Sequence, residues 1–296
     1  MAMKLRLIRI AIALLLAAPL PAFAADPAPL RPALWKITRG PTTIWLFGTI
    51  HMLPANANWL TGPVAQAADK ADEIATEIDD PGGAATRTAL AARALLPPGE
   101  HLSDLLPDDE YTALAERLSR FGIGADRFDA NKPWYAAVAL STLPVMRRGY
   151  DAHNGVEAGL AAREAARTVV HTGIETPDGQ LAILDGLPQA SQLTYLKNVI
   201  DDFDKIDGEI DAMVGAWGKG DAVALAKIMN EDEGKDDPLL TERLILARNR
   251  GFAAWIAQRL DRPGTVFMAI GAGHLAGTGS VQQVLAKSGI TAVRVQ

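Results

Sequence analysis

Two histidines near opposite ends of the chain, His51 and His274, are the residues best suited to chemistry. Each follows an apolar segment that ends in a Gly-x-x-His pattern, Gly48-Thr49-Ile50-His51 and Gly271-Ala272-Gly273-His274. An imidazole nitrogen is a good ligand for a borderline divalent ion, and glycine lets the backbone bend so that the ring can face a cleft. A single buried histidine more often just hydrogen-bonds to a neighbouring loop. Two histidines in equivalent positions favour a metal site.

The carboxylate of Glu77 is the third candidate ligand. It lies in an apolar segment with Ile74 and Ile78, and burying a carboxylate is costly unless it binds a metal, pairs with a cation or transfers a proton. We therefore expect Glu77 to be a metal ligand or a general base. The alternative interpretation is a salt bridge to an arginine, for instance Arg248.

Composition restricts the other classes of chemistry. The chain has no cysteine, so disulfides, thiol proteases and thiolate metal sites are excluded, and any metal must be held by His, Asp or Glu. The motifs His-Glu-x-x-His and Gly-x-Ser-x-Gly and the phosphate loop are absent from the sequence.

The first 24 residues read as a secretory signal peptide. Lys4, Arg6 and Arg9 precede the apolar stretch Ile10–Leu20, and Ala22-Phe23-Ala24 is a small-x-small cleavage site. The apolar stretch is too short to span a bilayer, which takes about 20 residues, so we expect no membrane span after cleavage and a periplasmic or secreted product. Cleavage leaves 26 basic against 35 acidic residues, a net charge of −9, which disfavours binding to nucleic acid and anionic lipid.

The elements that must position the histidines are short strands. The predicted elements are strands at Leu34–Thr38, Thr42–Phe47, Glu73–Ile78, Thr265–Ile270 and Thr291–Val295, and helices at Thr61–Lys70 and Val281–Lys287. They predict an α/β fold with two β-α-β units, at about 33–80 and 264–296, forming a central mixed sheet within one domain, 25–296. Because parallel strands present their carboxyl ends together, His51, Glu77 and His274 are expected to meet.

A large helical insertion is predicted between the two units, at about 84–260. The predicted helices are Ala84–Leu96, Pro107–Phe121, Trp134–Met146, Val156–Arg167, Pro188–Phe203, Asp221–Met229 and Thr241–Leu260. Thr168–Thr172 is a candidate strand inside the insertion, and the charge run Glu231–Asp237 is expected to be a solvated loop.

Several motifs together carry a resemblance to a known family. They are LWKI at Leu34–Ile37, FGTIHML at Phe47–Leu53, ATEID at Ala75–Asp79, KPW at Lys132–Trp134, GVE at Gly155–Glu157, IET at Ile174–Thr176 with Gln180, LLTERLILARN at Leu239–Asn249, and VFMAIGAGHLAG at Val266–Gly277. The chain resembles the TraB/GumN family, whose animal relatives, the Tiki proteins, are membrane-anchored metalloproteases. The resemblance implies a Tiki/EreA/ChaN-like fold.

The resemblance also implies roles for residues. It gives Glu77 a catalytic role and matches Arg248 and Asn249 to the family's Arg-Asn pair, which would position a substrate carbonyl or form a structural pair behind the site. Glu175 and Gln180 are expected to organise a loop against the sheet. Glu157 stands where the family usually has aspartate, which argues against a role that needs one exact carboxylate position.

The leading hypothesis is a metal-dependent hydrolase, a peptidase acting on peptide or protein segments. His51, His274 and Glu77 would hold manganese, cobalt or zinc, of which the Tiki resemblance favours manganese or cobalt. The main alternative is a non-catalytic protein that sequesters a peptide or another ligand. Hydrolysis of a small ester is a third hypothesis, because related folds open macrolide esters.

Overall fold

The computed structural model describes residues 29–80, 82–231 and 238–296. The predicted signal peptide and nearly all of the charge run Glu231–Asp237 lie outside the described residues. Over these ranges the chain forms two sheets, one of six strands and one of two. The strands are β1 Leu34–Arg39, β2 Thr42–Thr49, β3 Leu53–Pro54, β4 Glu73–Thr76, β5 Tyr150–Asp151, β6 Val170–Gly173, β7 Gly264–Gly271 and β8 Val293–Arg294.

The six-stranded sheet is mixed, as predicted, with the order β6-β4-β7-β2-β1-β8. Strands β6, β4, β7 and β2 are parallel to one another, whereas β1 is antiparallel to both β2 and β8. The two predicted β-α-β units are interleaved, because β7 of the C-terminal unit lies between β2 and β4 of the N-terminal unit. Thr49 is paired with Gly271 and Thr76 with Ala269, so the three strands that carry the candidate ligands end side by side.

Helices cover the sheet and build a separate helical layer. They are α1 Gly62–Asp69, α2 Ala84–Arg93, α3 Leu102–Leu105, α4 Asp108–Ser119, α5 Pro133–Arg147, α6 Val156–Glu164, α7 Pro177–Asp185, α8 Gln189–Asp201, α9 Ile206–Gly218, α10 Ala222–Ala226, α11 Pro238–Thr241, α12 Ala247–Arg259 and α13 Val281–Lys287. Short 3-10 turns lie at Ala125–Phe128, Ala152–Asn154, Phe203–Lys205 and Ala272–Leu275, and π-helical turns at Lys227–Glu231 and Glu242–Leu246. Within the described ranges, no helix is both long and apolar enough to cross a bilayer.

Several elements of the insertion differ from the sequence prediction. The strand predicted at Thr168–Thr172 is β6, and it is the edge strand of the central sheet rather than part of the insertion. Helix α9 was not predicted, because the glycines in its sequence IDGEIDAMVGAWG weaken the helical signal. The single helix predicted at Thr241–Leu260 is divided by the π-helical turn into α11 and α12.

Alternate side chains of the central strands enter two different cores. Ile44 and Leu46 of β2 pack with Met268 of β7 on one face, whereas Phe47 and Phe267 pack on the other. This alternation follows from the two-residue period of a strand, and both faces are buried because helices cover them. A third cluster, which includes Leu114, Leu140 and Leu196, forms the core of the helical layer. The sheet thus gives a rigid base to the edge where β2, β4 and β7 end.

Candidate active site

The ends of β4 and β7 bring Glu77 and His274 together. Glu77 follows β4 by one residue, and its Oε1 accepts a 2.7 Å hydrogen bond from the Gly271 N–H at the end of β7. His274 lies one turn further on, with its Nε2 3.6 Å from the same Oε1. A Cβ at position 271 would lie 3.2 Å from Glu77 Oε1 and 3.5 Å from His274 Cδ2. Glycine at this position therefore leaves room for the carboxylate and the ring to approach the backbone.

The other oxygen of Glu77 belongs to a charged network. Oε2 accepts hydrogen bonds from Arg248 Nη2 at 2.5 Å and from Gln180 Nε2 at 2.8 Å. Burial alone would raise the pKa of Glu77, but Arg248, His274 and the Gly271 N–H outweigh it and lower that pKa to about 2. Glu77 is thus an ionised carboxylate at neutral pH and a weak base. The structure shows the salt bridge to Arg248 that was the alternative interpretation of Glu77.

Arg248, on α12, lies between two carboxylates. Its Nε and Nη2 bond to Glu175 at 2.9 and 2.7 Å, while Nη2 also bonds to Glu77. Gln180 Nε2 donates to Glu175 as well, at 2.8 Å. Glu175 lies beside Glu77 because its N–H donates to the Glu77 carbonyl at 2.7 Å, which extends the pairing of β6 with β4. In this arrangement Nε and Nη2 of Arg248 fix two carboxylates.

The ring of His274 is held from behind by Asn249. Its Nδ1 lies 2.6 Å from Asn249 Oδ1, and Asn249 Nδ2 donates to the Gly279 carbonyl at 2.8 Å. The amide donates to a carbonyl, so its oxygen must accept from Nδ1–H, and Nε2 is left facing Glu77. Burial lowers the pKa of His274 to about 4, with the charge of Glu77 opposing that effect. His274 is therefore a neutral imidazole at pH 7, and Asn249, which is fully buried, orients it rather than facing a substrate.

His51 is the exposed member of the pair, with 65% of its side chain accessible. Its Nδ1 lies 2.9 Å from Oε1 of Glu157, the second residue of α6. The hydrogen bond to Glu157 raises the pKa of His51, and the charge of Glu77 acts in the same direction. The charge of His51 in turn lowers the pKa of both Glu77 and His274. The three predicted ligands therefore lie within range of one another's charge, and Glu77 and His274 are the two that approach each other directly.

Glu157 has a defined position, contrary to the expectation drawn from its difference from the family pattern. Burial opposes its ionisation, but the hydrogen bond and the charge of His51 outweigh that effect and lower its pKa. The longer side chain of glutamate reaches the ring across the start of α6. A hydrogen bond between residues 106 positions apart leaves no local signal in the sequence.

Glu175 and Gln180 were expected to organise a loop, and the structure places them directly in the charged network. Gln180 lies on α7, a helix that was not predicted. The signal for that helix was present: Thr176 Oγ1 accepts a 3.0 Å bond from the Gly179 N–H, and Pro177 occupies the first turn.

Two donor atoms at this edge of the sheet are available to a cation. No described group of three or more His, Asp or Glu residues is arranged as a formed metal site. His274 nevertheless presents Nε2, and Oε1 of Glu77 has accepted only the Gly271 N–H, which leaves a lone pair. Glu77 and Glu175, with side chains only 11% and 20% exposed, share one arginine, Arg248, whereas Glu157 pairs with His51. The surplus of negative charge favours binding of a cation.

Fold and site together define an α/β protein with a mixed six-stranded sheet and paired Gly-x-x-His histidines at the carboxyl edge of its parallel strands. The chain belongs to the TraB/PrgY/gumN family, whose model matches residues 33–294, and the family predicted from the motifs is thereby confirmed. The chain is 23% identical over 274 residues to the uncharacterized protein YbaP of Escherichia coli (strain K12), covering 85% of this chain and 96% of that protein. YbaP of Shigella flexneri matches with the same figures. No solved structure matches significantly.

Proposed function

We propose that this protein is an exported metal-dependent hydrolase that acts on peptide or protein segments. The observation that carries the proposal is His274, a buried neutral imidazole whose Nδ1 is fixed by Asn249 and whose Nε2 faces an ionised carboxylate 3.6 Å away. A histidine fixed at one nitrogen by an oxygen acceptor, with the other nitrogen open, is the usual arrangement of a metal ligand. Family membership and the surplus of carboxylates support the same proposal.

His274 Nε2, Glu77 Oε1 and His51 Nε2 would hold the ion, which would be manganese, cobalt or zinc. A bound divalent ion would supply Lewis-acid chemistry by polarising a carbonyl and making water a better nucleophile near neutral pH. Two histidines and one carboxylate leave positions for water and substrate.

Each residue around the proposed ligands has a separate task. Glu77 is better suited to be a ligand than a general base, because a carboxylate with a pKa of about 2 accepts a proton poorly at neutral pH. Arg248 and Gln180 keep its carboxylate ionised and fixed. His51 is exposed on the open side, so it is the residue of the three that a substrate would meet first.

Export and a Tiki-like arrangement of the fold are part of this proposal. Export is supported by the basic, apolar and small-residue order of the first 24 residues. The Tiki-like arrangement is supported by the family and by the position of both Gly-x-x-His turns at the ends of adjacent parallel strands.

One observation favours the alternative, capture of a ligand without catalysis. Arg248 bonds to Glu77 and Glu175 and Asn249 bonds to His274 and the Gly279 carbonyl, so both side chains are engaged within the protein instead of facing a substrate. In that case His51→Ala would leave the affinity for a captured peptide largely unchanged, whereas in an enzyme it would abolish turnover.

The test is a calorimetric titration of Mn²⁺, Co²⁺ and Zn²⁺ into metal-stripped mature protein. The proposal predicts tight binding that is lost in a His51→Ala/His274→Ala variant, with its fold checked by circular dichroism. The matched control is His101→Ala/His153→Ala, since these rings pair with Asp129 and Asp151 outside the site, and this variant should bind as the wild type does. Peptide-library cleavage with the loaded protein follows. Absence of ion binding by the wild type would refute the proposal.

A further inference from the structure

Three consecutive residues, Gly155, Val156 and Glu157, all contact the turn that carries His51. The Val156 N–H donates to the Ile50 carbonyl at 3.1 Å, and Glu157 reaches the His51 ring. Gly155 lies so close to His51 that an added Cβ would be 2.0 Å from the His51 carbonyl oxygen. Its φ of −62° is open to any residue, so the close approach is what requires glycine here.

This contact is distinct from the support of His274. Asn249 is fully buried and holds a buried ring, whereas α6 begins against the backbone of an exposed histidine and holds its ring through a carboxylate that is 18% exposed. Both supports act on Nδ1 and leave Nε2 as the nitrogen available to a ligand.

The geometry points to Glu157 as a positioning residue that fixes His51 in the Nδ1–H form and presents Nε2 to the cleft. This inference deepens the proposed function and rests on it for its consequence in metal binding. The physical reason is that a neutral imidazole carries one proton, and the acceptor at one nitrogen decides where that proton lies. Free histidine favours the proton on Nε2, which would block the nitrogen that a metal needs. The Glu157 carboxylate reverses that preference.

The structural test is a measurement of the ring proton by ¹⁵N NMR. The full mature chain, labelled at histidine nitrogen and kept in chelator, is measured at a pH well above the ordinary pKa of histidine, with the His51 signals assigned through His51→Gln. We expect Nδ1 of His51 to carry the proton in the wild type and Nε2 to carry it in Glu157→Ala. A wild-type ring with its proton on Nε2 would overturn the inference, even if Glu157→Ala did not fold.

The functional test uses Mn²⁺ as the probe. Removing the partner of a metal-binding histidine costs 10- to 100-fold in affinity, so Glu157→Ala should weaken Mn²⁺ binding by about that factor. Glu157→Gln keeps an acceptor oxygen and should restore most of the affinity, which a role limited to supporting α6 would not explain. Equal affinity in Glu157→Ala and the wild type would contradict the inference.

A matched control lies in the neighbouring turn. Asp151 accepts from the exposed His153 ring at 2.7 Å, so Asp151→Ala also removes a carboxylate from a histidine. It should change neither the His51 ring proton nor the affinity for Mn²⁺, and a change equal to that of Glu157→Ala would overturn the assignment. If the wild type binds no Mn²⁺, the proposed function fails, while the ring proton still decides the inference about Glu157.

Discussion

His51 and His274 follow the same Gly-x-x-His pattern at the ends of two adjacent parallel strands, yet their surroundings are opposite. His274 has only 5% of its side chain exposed and is held by a neutral amide, while His51 is 65% exposed and is held by a carboxylate. The pKa of His274 is lowered to about 4 by burial, and that of His51 is raised by Glu157. The motif therefore places each ring at the end of its strand, while burial decides the pKa of His274 and the partner Glu157 decides that of His51.

The largest effect is expected when the Asn249 amide that holds the His274 ring is removed. Asn249→Ala leaves Nδ1–H of His274 and the Gly279 carbonyl without their partner, and each unsatisfied buried group costs about 1 to 3 kcal/mol. We expect a loss of about 3 to 5 kcal/mol in the free energy of unfolding, measured in urea. Asn131→Ala is the control, because Asn131 is half-buried and makes a longer bond, 3.3 Å to the Ala94 carbonyl, so it should cost less than about 1 kcal/mol. Equal losses would contradict the role of Asn249.

The two histidines should affect the free energy of unfolding in different pH ranges. Because the pKa of His274 is about 4 in the folded chain against 6.5 ordinarily, the unfolded chain takes up a proton first, and stability is lost as pH falls from about 6.5 to 4. The difference corresponds to roughly 3 kcal/mol, and His274→Gln should remove that part of the loss in urea unfolding.

The pKa of His51 is raised, so the sign is opposite for this ring. Its contribution is complete below the unfolded pKa and is lost as pH rises through the folded pKa. His51→Gln should therefore change the slope of the stability profile only on the alkaline side of 6.5, and lower stability by a constant amount on the acid side. A His274→Gln profile parallel to that of the wild type at acid pH would show that the ring is not held neutral.

A substitution at Gly155 disturbs the contact between α6 and the His51 backbone while it leaves the Glu157 carboxylate in place. The added Cβ of Gly155→Ala would collide with the His51 carbonyl, so α6 must move away, at an expected cost of about 2 kcal/mol. Gly215→Ala is the matched control, because a Cβ there meets nothing within 4 Å and the residue lies inside α9. That control should gain about 0.5 to 1 kcal/mol. A Gly155→Ala variant as stable as the wild type would contradict the close approach.

The sequence predicts the parts of the site that depend on local pattern. The strands β2 and β7 and the turns after them follow from short apolar runs that end in glycine. Pairing of Glu77 with Arg248 was among the alternatives, because a buried carboxylate requires a cation. The side-by-side ends of β2, β4 and β7, and with them the approach of Glu77 to His274, follow from the rule that parallel strands end together.

The remaining features depend on contacts between distant residues. The position of β7 between β2 and β4 depends on which strands pair in three dimensions. The hydrophobic pattern of each strand would be the same for any strand order in the sheet, so it could not predict this one. Glu157 was discounted because only its residue type was visible, whereas its role depends on α6 lying against residues 50 and 51. Helix α9 contributes the buried Trp217, whose Nε1–H donates to the Gly48 carbonyl at 2.8 Å. This helix was not predicted because its glycines weaken the helical signal in the sequence.

The most direct test of the central claim is an NMR titration of the two imidazole rings in the metal-free mature protein, assigned through His51→Gln and His274→Gln. We expect His274 to titrate with a midpoint near 4 and His51 with a midpoint above 6.5. Two rings that titrate together at the ordinary value for histidine would contradict the claim that the repeated motif supports two different kinds of histidine.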